Sequence, residues 1–145
     1  MVDSRPIFDQ VNLVVSDMPT MVEFYERLGL EIGPTLTPWD RHHRNISAAD
    51  GIHFDLDSLA FVPQWNQGWP SGETGPVLGF RVASAEAVDA TYADLISAGY
   101  GGQQPPHDAL MGARYAVVVD PDGNSVGLMG PRDPARLRQT QVPED

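Results

Sequence analysis

The four histidines are the residues of this sequence with the widest chemical range, because imidazole binds metals and exchanges protons near neutral pH. His42 and His43 are adjacent, and neighbouring residues of a strand point to opposite faces, so only one of them can join a given site. His53 lies in a predicted strand and His107 in a proline-rich loop, each as a single histidine. We therefore expect surface or hydrogen-bonded histidines, and a displaced metal or proton-transfer site is the alternative.

The remaining residue types narrow the possible chemistry. The sequence contains no cysteine, which excludes thiol catalysis, disulfides and cysteine-bound zinc and leaves His, Asp, Glu and Gln as the metal ligands to consider. No nucleophile is paired with a base in the sequence, and no glycine-rich phosphate-binding loop is present. The sequence therefore offers no established catalytic motif.

The charge balance restricts the partners. Nine basic and twenty acidic residues give a net charge of −11, which repels nucleic acid. The same charge favours a cationic ligand, although acidic residues that only keep a surface soluble are the commoner case. No apolar run approaches the roughly 18 to 20 residues that span a bilayer, and the N-terminal residues do not have the pattern of a signal peptide. We expect a cytoplasmic protein without nucleic-acid or membrane partners.

Aromatic residues in the middle of the chain are the best candidates for contacting a ligand. Trp39, Trp65 and Trp69 lie there together with Phe54 and Phe61. Aromatic faces in loops over a sheet make walls for a planar or apolar molecule, and they are equally typical of a dimer interface or a core. A few polar groups would orient the ligand, and the candidates are Gln10, Asn12, His43, Asp55, Arg114 and Tyr115. Since Arg114 and Tyr115 are adjacent in a predicted strand, at most one of them can face a cleft unless the strand is bulged.

The elements that must position these residues begin with a first module over about residues 7–57. A strand over 7–15 is followed by a helix that Asp17 caps and Gly29 ends. Three further strands are predicted from apolar and β-branched runs at 30–36, 44–48 and 52–57, the last two joined by a turn at Asp50 and Gly51.

The same order of elements returns after a crossing loop over 58–75, which is rich in proline, glycine and tryptophan. A second module over about 76–131 has a strand at 77–82 and a helix capped by Ser84 and ended by Gly99. Its remaining strands are predicted at 102–106, 114–119 and 125–129. The strand at 102–106 is predicted to be an edge strand, because proline has no backbone N–H to donate to a neighbouring strand. The polar tail over 132–145 is expected to fray or to lie on a partner, and the 145 residues fit one domain.

These features together resemble the vicinal-oxygen-chelate superfamily, which includes glyoxalase I, extradiol dioxygenases, fosfomycin-resistance transferases and bleomycin-resistance proteins. The resemblance rests on the segments FDQVNLVVSD, EFYERLGLEI, VLGFRVAS and VVVDPDGNSVGLMGP, and it covers about residues 7–131. It implies an α+β fold in which two βαβββ modules form a curved mixed sheet around a cleft, usually in a homodimer. The chain is closest in type to the metal-free, bleomycin-resistance-like binding proteins.

The resemblance also implies where a metal would lie. In metal-dependent members, four ligands come from positions that fall on Gln10, Asp55, Val77 and Gly127 of this sequence. Valine and glycine have no side-chain ligand atom, and two monodentate oxygens do not make the usual set of three or more protein ligands. We therefore expect neither a metal nor another cofactor, and no catalytic residues at this place.

Two classes of function follow from this reading. The first is non-catalytic binding and sequestration of a small, planar aromatic natural product, as in antibiotic resistance. The alternative is a metal-dependent lyase, isomerase or dioxygenase of the same superfamily, which would use a displaced site around His43, His53 and Asp55.

Overall fold

A seven-stranded mixed sheet carries the candidate site. The computed structural model describes residues 5–47, 51–138 and 141–144. The strands are β1 (Ile7–Val15), β2 (His43–Ser47), β3 (His53–Ser58), β4 (Gly75–Arg81), β5 (Gly101–Asp108), β6 (Arg114–Val119) and β7 (Ser125–Met129). Two helices, α1 (Met18–Arg27) and α2 (Ala85–Ser97), follow β1 and β4, and the strand order is β2-β3-β1-β4-β7-β6-β5. No helix in the described residues is long and apolar enough to cross a membrane.

The two halves of the sheet repeat one topology, as the sequence predicts. The first strand of each half pairs in parallel with the last, so β1 lies beside β3 and β4 lies beside β7. The neighbouring pairs β2–β3 and β6–β7 are antiparallel. The halves join through antiparallel pairing of β1 with β4. The predicted α+β fold of two related modules is confirmed.

One predicted strand of the first module is nearly absent. The segment over 30–36 forms only a single bridge, between Ile32 and Ile46, instead of a full strand. Pro34 has no backbone N–H to donate to a ladder, so the pairing ends beside it. The turn expected at Asp50 and Gly51 lies partly outside the described residues, although Gly51 has the positive φ of 78° that such a turn uses.

The helix boundaries follow the predicted caps. The Asp17 carboxylate accepts a hydrogen bond from the Thr20 amide at 3.2 Å, and the Ser84 hydroxyl oxygen accepts one from the Ala87 amide at 3.1 Å. Past the end of α1, Gly29 takes a φ of 95°, a left-handed conformation that glycine adopts without steric cost. Both helices pack on one face of the sheet, over core clusters that contain Leu56 and Leu128.

The opposite face of the sheet is covered by the crossing loop. Phe61, Val62 and Trp65 of this loop are buried against Val77 and Val117 of the sheet. The loop contains a short 3₁₀ helix over Val62–Gln64. Its aromatic residues are therefore held over the sheet face on which no helix packs.

Buried amides fix the crossing loop to the edge of the second module. The Asn66 Nδ2 donates to Gln103 Oε1 at 2.7 Å, and the Gln67 backbone N–H donates to Gln104 Oε1 at 2.9 Å. Gly68 lies so close to β5 that a Cβ built there would be 2.0 Å from the Gln103 carbonyl oxygen. The edge strand with its prolines thus anchors the loop that covers the sheet.

The described part of the C-terminal tail makes hydrogen bonds to the rest of the chain. The Asp133 amide donates to the Gly112 carbonyl at 2.8 Å, and the Arg138 amide donates to the Leu110 carbonyl at 3.3 Å. Gln64 Nε2 also donates to the Gln141 carbonyl at 2.9 Å. The tail therefore follows the loop between β5 and β6, because backbone groups there accept its amides.

The anchoring of the crossing loop gives a stability prediction. We expect Asn66→Ala to lower the free energy of unfolding by about 1 to 3 kcal/mol, because it removes the hydrogen bond that the fully buried Asn66 side chain donates to Gln103. Gln67→Ala is the control, since that side chain is exposed and only its backbone bonds to β5; we expect a change within about 0.5 kcal/mol. Urea unfolding of both variants measures the difference, and equal effects would contradict the anchoring role.

Candidate ligand-binding site

A cavity of about 410 Å³ lies between the sheet and the crossing loop, on the face away from the helices. Strands of both modules contribute to it, as shown by Asn12 of β1 and Tyr115 of β6. The crossing loop supplies Phe61 and Trp65, and the segment before β2 supplies Trp39. The cavity thus depends on the β1–β4 junction and on the position of the crossing loop.

Aromatic rings form the walls of the cavity and contact one another edge to face. Trp39 and Phe61 have ring centroids 5.2 Å apart at 77°, and Phe61 meets the His43 imidazole at 5.9 Å. Trp65 and Tyr115 form a second such pair, with centroids 6.1 Å apart. These contacts hold the rings in fixed orientations. A rigid aromatic surface of this kind favours binding of a planar molecule more than a flexible surface would.

Polar side chains of the first module form the floor of the cavity. Asp55 and Asp57 are two residues apart on β3 and so face the same side, and the strand register places Asn12 beside Asp55 and His43 beside Asp57. The two Asp57 oxygens accept from Asn12 Nδ2 at 2.9 Å and contact His43 Nδ1 at 2.5 Å. Gln10 Nε2 donates to Asn12 Oδ1 at 2.6 Å and to Asp55 Oδ2 at 3.3 Å. The floor is a connected network with two carboxyl groups.

Burial and mutual repulsion change the acidity of this network. Burial, and next the charge of Asp57, raise the pKa of Asp55 from 3.8 to about 6. Burial alone would lower the pKa of His43, but the hydrogen bond to Asp57 and its charge raise it above the ordinary value. Burial, with a smaller contribution from Asp57, also raises the pKa of Tyr115, which therefore remains a neutral phenol. Shifted acidities of this kind are concentrated at functional sites.

The indole N–H of Trp65 is a buried donor without a protein partner. The Trp65 side chain is 4% exposed and lines the cavity, and its Nε1 makes no hydrogen bond within the part of the chain that the structure describes. A buried donor left unpaired costs on the order of 1 to 3 kcal/mol. The nitrogen is closed off from the cavity as well as from solvent, so a molecule in the cavity does not reach it in this conformation.

Most residues predicted to contact a ligand meet in this cavity. The lining includes Asn12, Trp39, His43, Asp55, Phe61, Trp65 and Tyr115. Gln10 lines an adjoining smaller cavity and reaches the main one through its hydrogen bonds to Asn12 and Asp55. His53 lies in that smaller cavity too, where it is exposed.

Three predicted ligand contacts lie elsewhere. Phe54 is next to Asp55 on β3 and so faces the helices, where its ring meets that of Tyr25 at 5.1 Å. Arg114 also faces the helices and donates to Asp89 Oδ1 at 2.9 Å, so only Tyr115 of that adjacent pair enters the cavity. Trp69 packs beside the core cluster and donates its indole N–H to the Glu73 carbonyl at 2.8 Å, outside the cavity lining.

Several lining residues were not predicted from the sequence. Asp57 could have been found, because it is two residues beyond Asp55 on a predicted strand and must share its face. Met129 could have been found in the same way, because it is two residues beyond Gly127 on a predicted strand and must share its face. Leu36, Met111 and Arg132 come from loops, whose course over the cavity has no signal in the local sequence.

Comparison with known proteins identifies the family. Residues 7–128 match the model of the Glyoxalase/Bleomycin resistance protein/Dioxygenase superfamily, and the chain belongs to this superfamily. This finding confirms the resemblance to vicinal-oxygen-chelate proteins drawn from the sequence. A search of the curated proteins finds no match to the chain.

Solved structures share the fold at low identity. A Legionella pneumophila structure described as an NAD-dependent benzaldehyde dehydrogenase is 21% identical with a TM-score of 0.64, over 85% of this chain and 98% of that one. A methylmalonyl-CoA epimerase from Mycobacterium tuberculosis is 18% identical with a TM-score of 0.56, over 92% and 94% of the two chains. The Mn(II)-bound glyoxalase from Novosphingobium aromaticivorans is 21% identical with a TM-score of 0.58, over 85% of this chain and 38% of that one. Identities this low show the fold alone.

The residues at the superfamily's metal positions do not fit a metal. Val77 is fully buried in the core, and a Cβ built on Gly127 would lie 2.5 Å from the Tyr115 hydroxyl oxygen, so that phenol fills the space a longer side chain would need. Gln10 and Asp55 leave an incomplete donor set. In the described ranges, no group of three or more His, Asp or Glu side chains is placed to hold a metal ion.

The raised pKa of Asp55 gives a prediction for stability against pH. A carboxyl group whose pKa is higher in the folded than in the unfolded chain destabilises the fold when it is ionised. For Asp55 this loss of stability grows as the pH rises from about 4 to about 6, and it is complete above that range. Asp55→Asn removes this cost and keeps the shape of the side chain. We expect the variant to be more stable by up to about 3 kcal/mol at pH 8 and nearly unchanged at pH 4.

Urea unfolding at the two pH values measures this effect. Asp94→Asn is the matched control, because Asp94 is exposed on α2 and the substitution changes the net charge by the same amount. A gain in stability that is equal at both pH values, or equal in both variants, would contradict a local cost of burying Asp55.

Proposed function

We propose that this protein binds and sequesters a small, planar aromatic natural product without transforming it, in the manner of antibiotic-resistance binding proteins. The observation that carries the proposal is the cavity itself, whose aromatic walls lie beside Asp55, one of the four positions that hold the metal in metal-dependent members of the superfamily. Val77 stands at a second position, and the Tyr115 phenol fills the space beside Gly127 at a third. The superfamily's architecture thus surrounds a space suited to apolar contact.

The size and lining of the cavity support this proposal. Its volume of about 410 Å³ lies within the roughly 300 to 1,000 Å³ of pockets that bind small molecules. Four of its lining side chains are Trp39, Phe61, Trp65 and Tyr115, which can stack on or pack edge-on to a ring system.

The alternative of a metal-dependent enzyme has less support. The displaced site would combine His43, His53 and Asp55, but His53 is exposed and lines a different, smaller cavity. His43 already directs Nδ1 to Asp57, which leaves one ring nitrogen for other contacts. Structural neighbours that are enzymes share only the fold with this chain, and a fold of this kind carries many functions.

Substitution of the aromatic walls tests the proposed binding. Trp39→Ala should weaken binding of the ligand by about 1 to 4 kcal/mol, because it removes a stacking surface from the cavity. We expect Trp65→Ala to act in the same direction, because its ring lines the same cavity. The measurement is quenching of tryptophan fluorescence in titrations with planar natural products, including bleomycin-type and quinone-type compounds.

Trp69→Phe is the matched control, because Trp69 lies outside the cavity lining and its substitution lowers only the fluorescence background. Mass spectrometry of the recovered ligand separates sequestration from catalysis. Unchanged affinity in both Trp39→Ala and Trp65→Ala would contradict the aromatic-wall model, and recovery of an altered compound would show that the protein is an enzyme.

A further inference from the structure

We propose that the molecule held in the cavity is an organic cation, whose positive charge lies against Asp55 and Asp57 on the floor while its ring system lies between the aromatic walls. This inference rests on the proposed function and names the chemical class of the ligand. It places an organic cation near the position where metal-dependent members of the superfamily hold a metal ion.

The first argument is that the two carboxyl groups form no ion pair with a Lys or Arg side chain of the described residues. Asp55 is 9% and Asp57 1% exposed, and both line the cavity. In the part of the chain that the structure describes, no Lys or Arg forms an ion pair with either, and Asp55 accepts only from the neutral Gln10 amide. Asp57 meets His43, a single group of variable charge between two carboxyls. A buried carboxylate without a matching charge is costly, and a cationic ligand would offset that cost.

The second argument is that aromatic faces adjoin the carboxyl groups. His43, which touches Asp57, also meets the ring of Phe61, and Phe61 in turn meets Trp39. A cation near aromatic faces is attracted by the partial negative charge on those faces. Carboxyl groups and rings in one cavity therefore select for a molecule that is both planar and positively charged.

The protein itself contains one competitor for the floor. Arg132 lines the rim of the cavity, is exposed, and acts on Asp55 from a distance, since its charge lowers the Asp55 pKa. A cationic ligand must act against this neighbouring positive charge. Removal of the Arg132 charge should therefore strengthen cation binding, which is the opposite of the effect of removing a carboxyl group.

Three probes of one size test the inference. 9-Aminoacridine is cationic at pH 8, acridine is neutral and anthracene-9-carboxylate is anionic, and all three have the same tricyclic frame. In fluorescence titrations at pH 8 and low salt, we expect 9-aminoacridine to bind about tenfold more tightly than acridine, and anthracene-9-carboxylate to bind most weakly. Low salt matters because screening weakens the interaction at the open side of the cavity.

Two variants with opposite expected signs locate the effect. Asp55→Asn should lower the affinity for 9-aminoacridine about tenfold and leave that for acridine within about twofold. Arg132→Gln should raise the affinity for 9-aminoacridine and weaken binding of the anion. Asp94→Asn is again the control, because it changes the net charge equally on the far side of the sheet, and it should leave the three affinities in their original ratio. Urea unfolding verifies that each variant is folded.

The outcomes distinguish the inference from the function on which it rests. Tight binding of all three probes with equal affinity would overturn the cation inference and support the proposed function. A cation preference that persists in Asp55→Asn and is lost in Asp94→Asn would also overturn the inference, because it would reflect the overall charge. Failure of every probe to bind would count against the proposed function itself.

Discussion

The antiparallel pairing of β1 with β4 is the contact on which the rest of the structure depends. It joins two modules that would each expose a sheet edge, and so makes one continuous sheet. Its register places Asn12 beside Val77, which sets the polar residues of the first module against the apolar residues of the second. Because side chains alternate along both strands, the same register separates the face that packs on the helices from the face that bounds the cavity.

The two modules contribute different chemistry to a symmetric framework. The first supplies Asn12, His43 and two buried carboxyls, whereas the second supplies Met129 and the Tyr115 ring. A molecule in the cavity therefore meets a charged end and an apolar end. We infer that a ligand lies with its charged group toward β3 and its ring system toward β6, an orientation that the junction of the modules fixes.

The sequence predicts most of the fold because its local signals have direct physical causes. Caps at Asp17 and Ser84 and glycines after both helices mark boundaries that the structure keeps. The residues of the site were harder to predict, because the aromatic character of a residue does not show which face of a strand it occupies. The alternation of side chains along a strand would have shown that Phe54 and Asp55 face opposite sides of the sheet and that Asp57 faces the same side as Asp55. The position of Trp69 and the loop residues of the rim depend on packing between distant segments, which no local pattern encodes.

The carboxyl pair on the floor links stability to binding. Asp55 and Asp57 occupy successive positions on the cavity face of β3, where they repel each other and lose hydration. Their burial therefore lowers the stability of the fold. Replacement of Asp55 by a neutral amide would relieve that cost without altering the shape of the floor. The hydrogen bonds from Gln10 and Asn12 orient the carboxyl oxygens but carry no charge to neutralise them. The carboxyl floor therefore destabilises the free protein, and a bound positive charge would offset this cost.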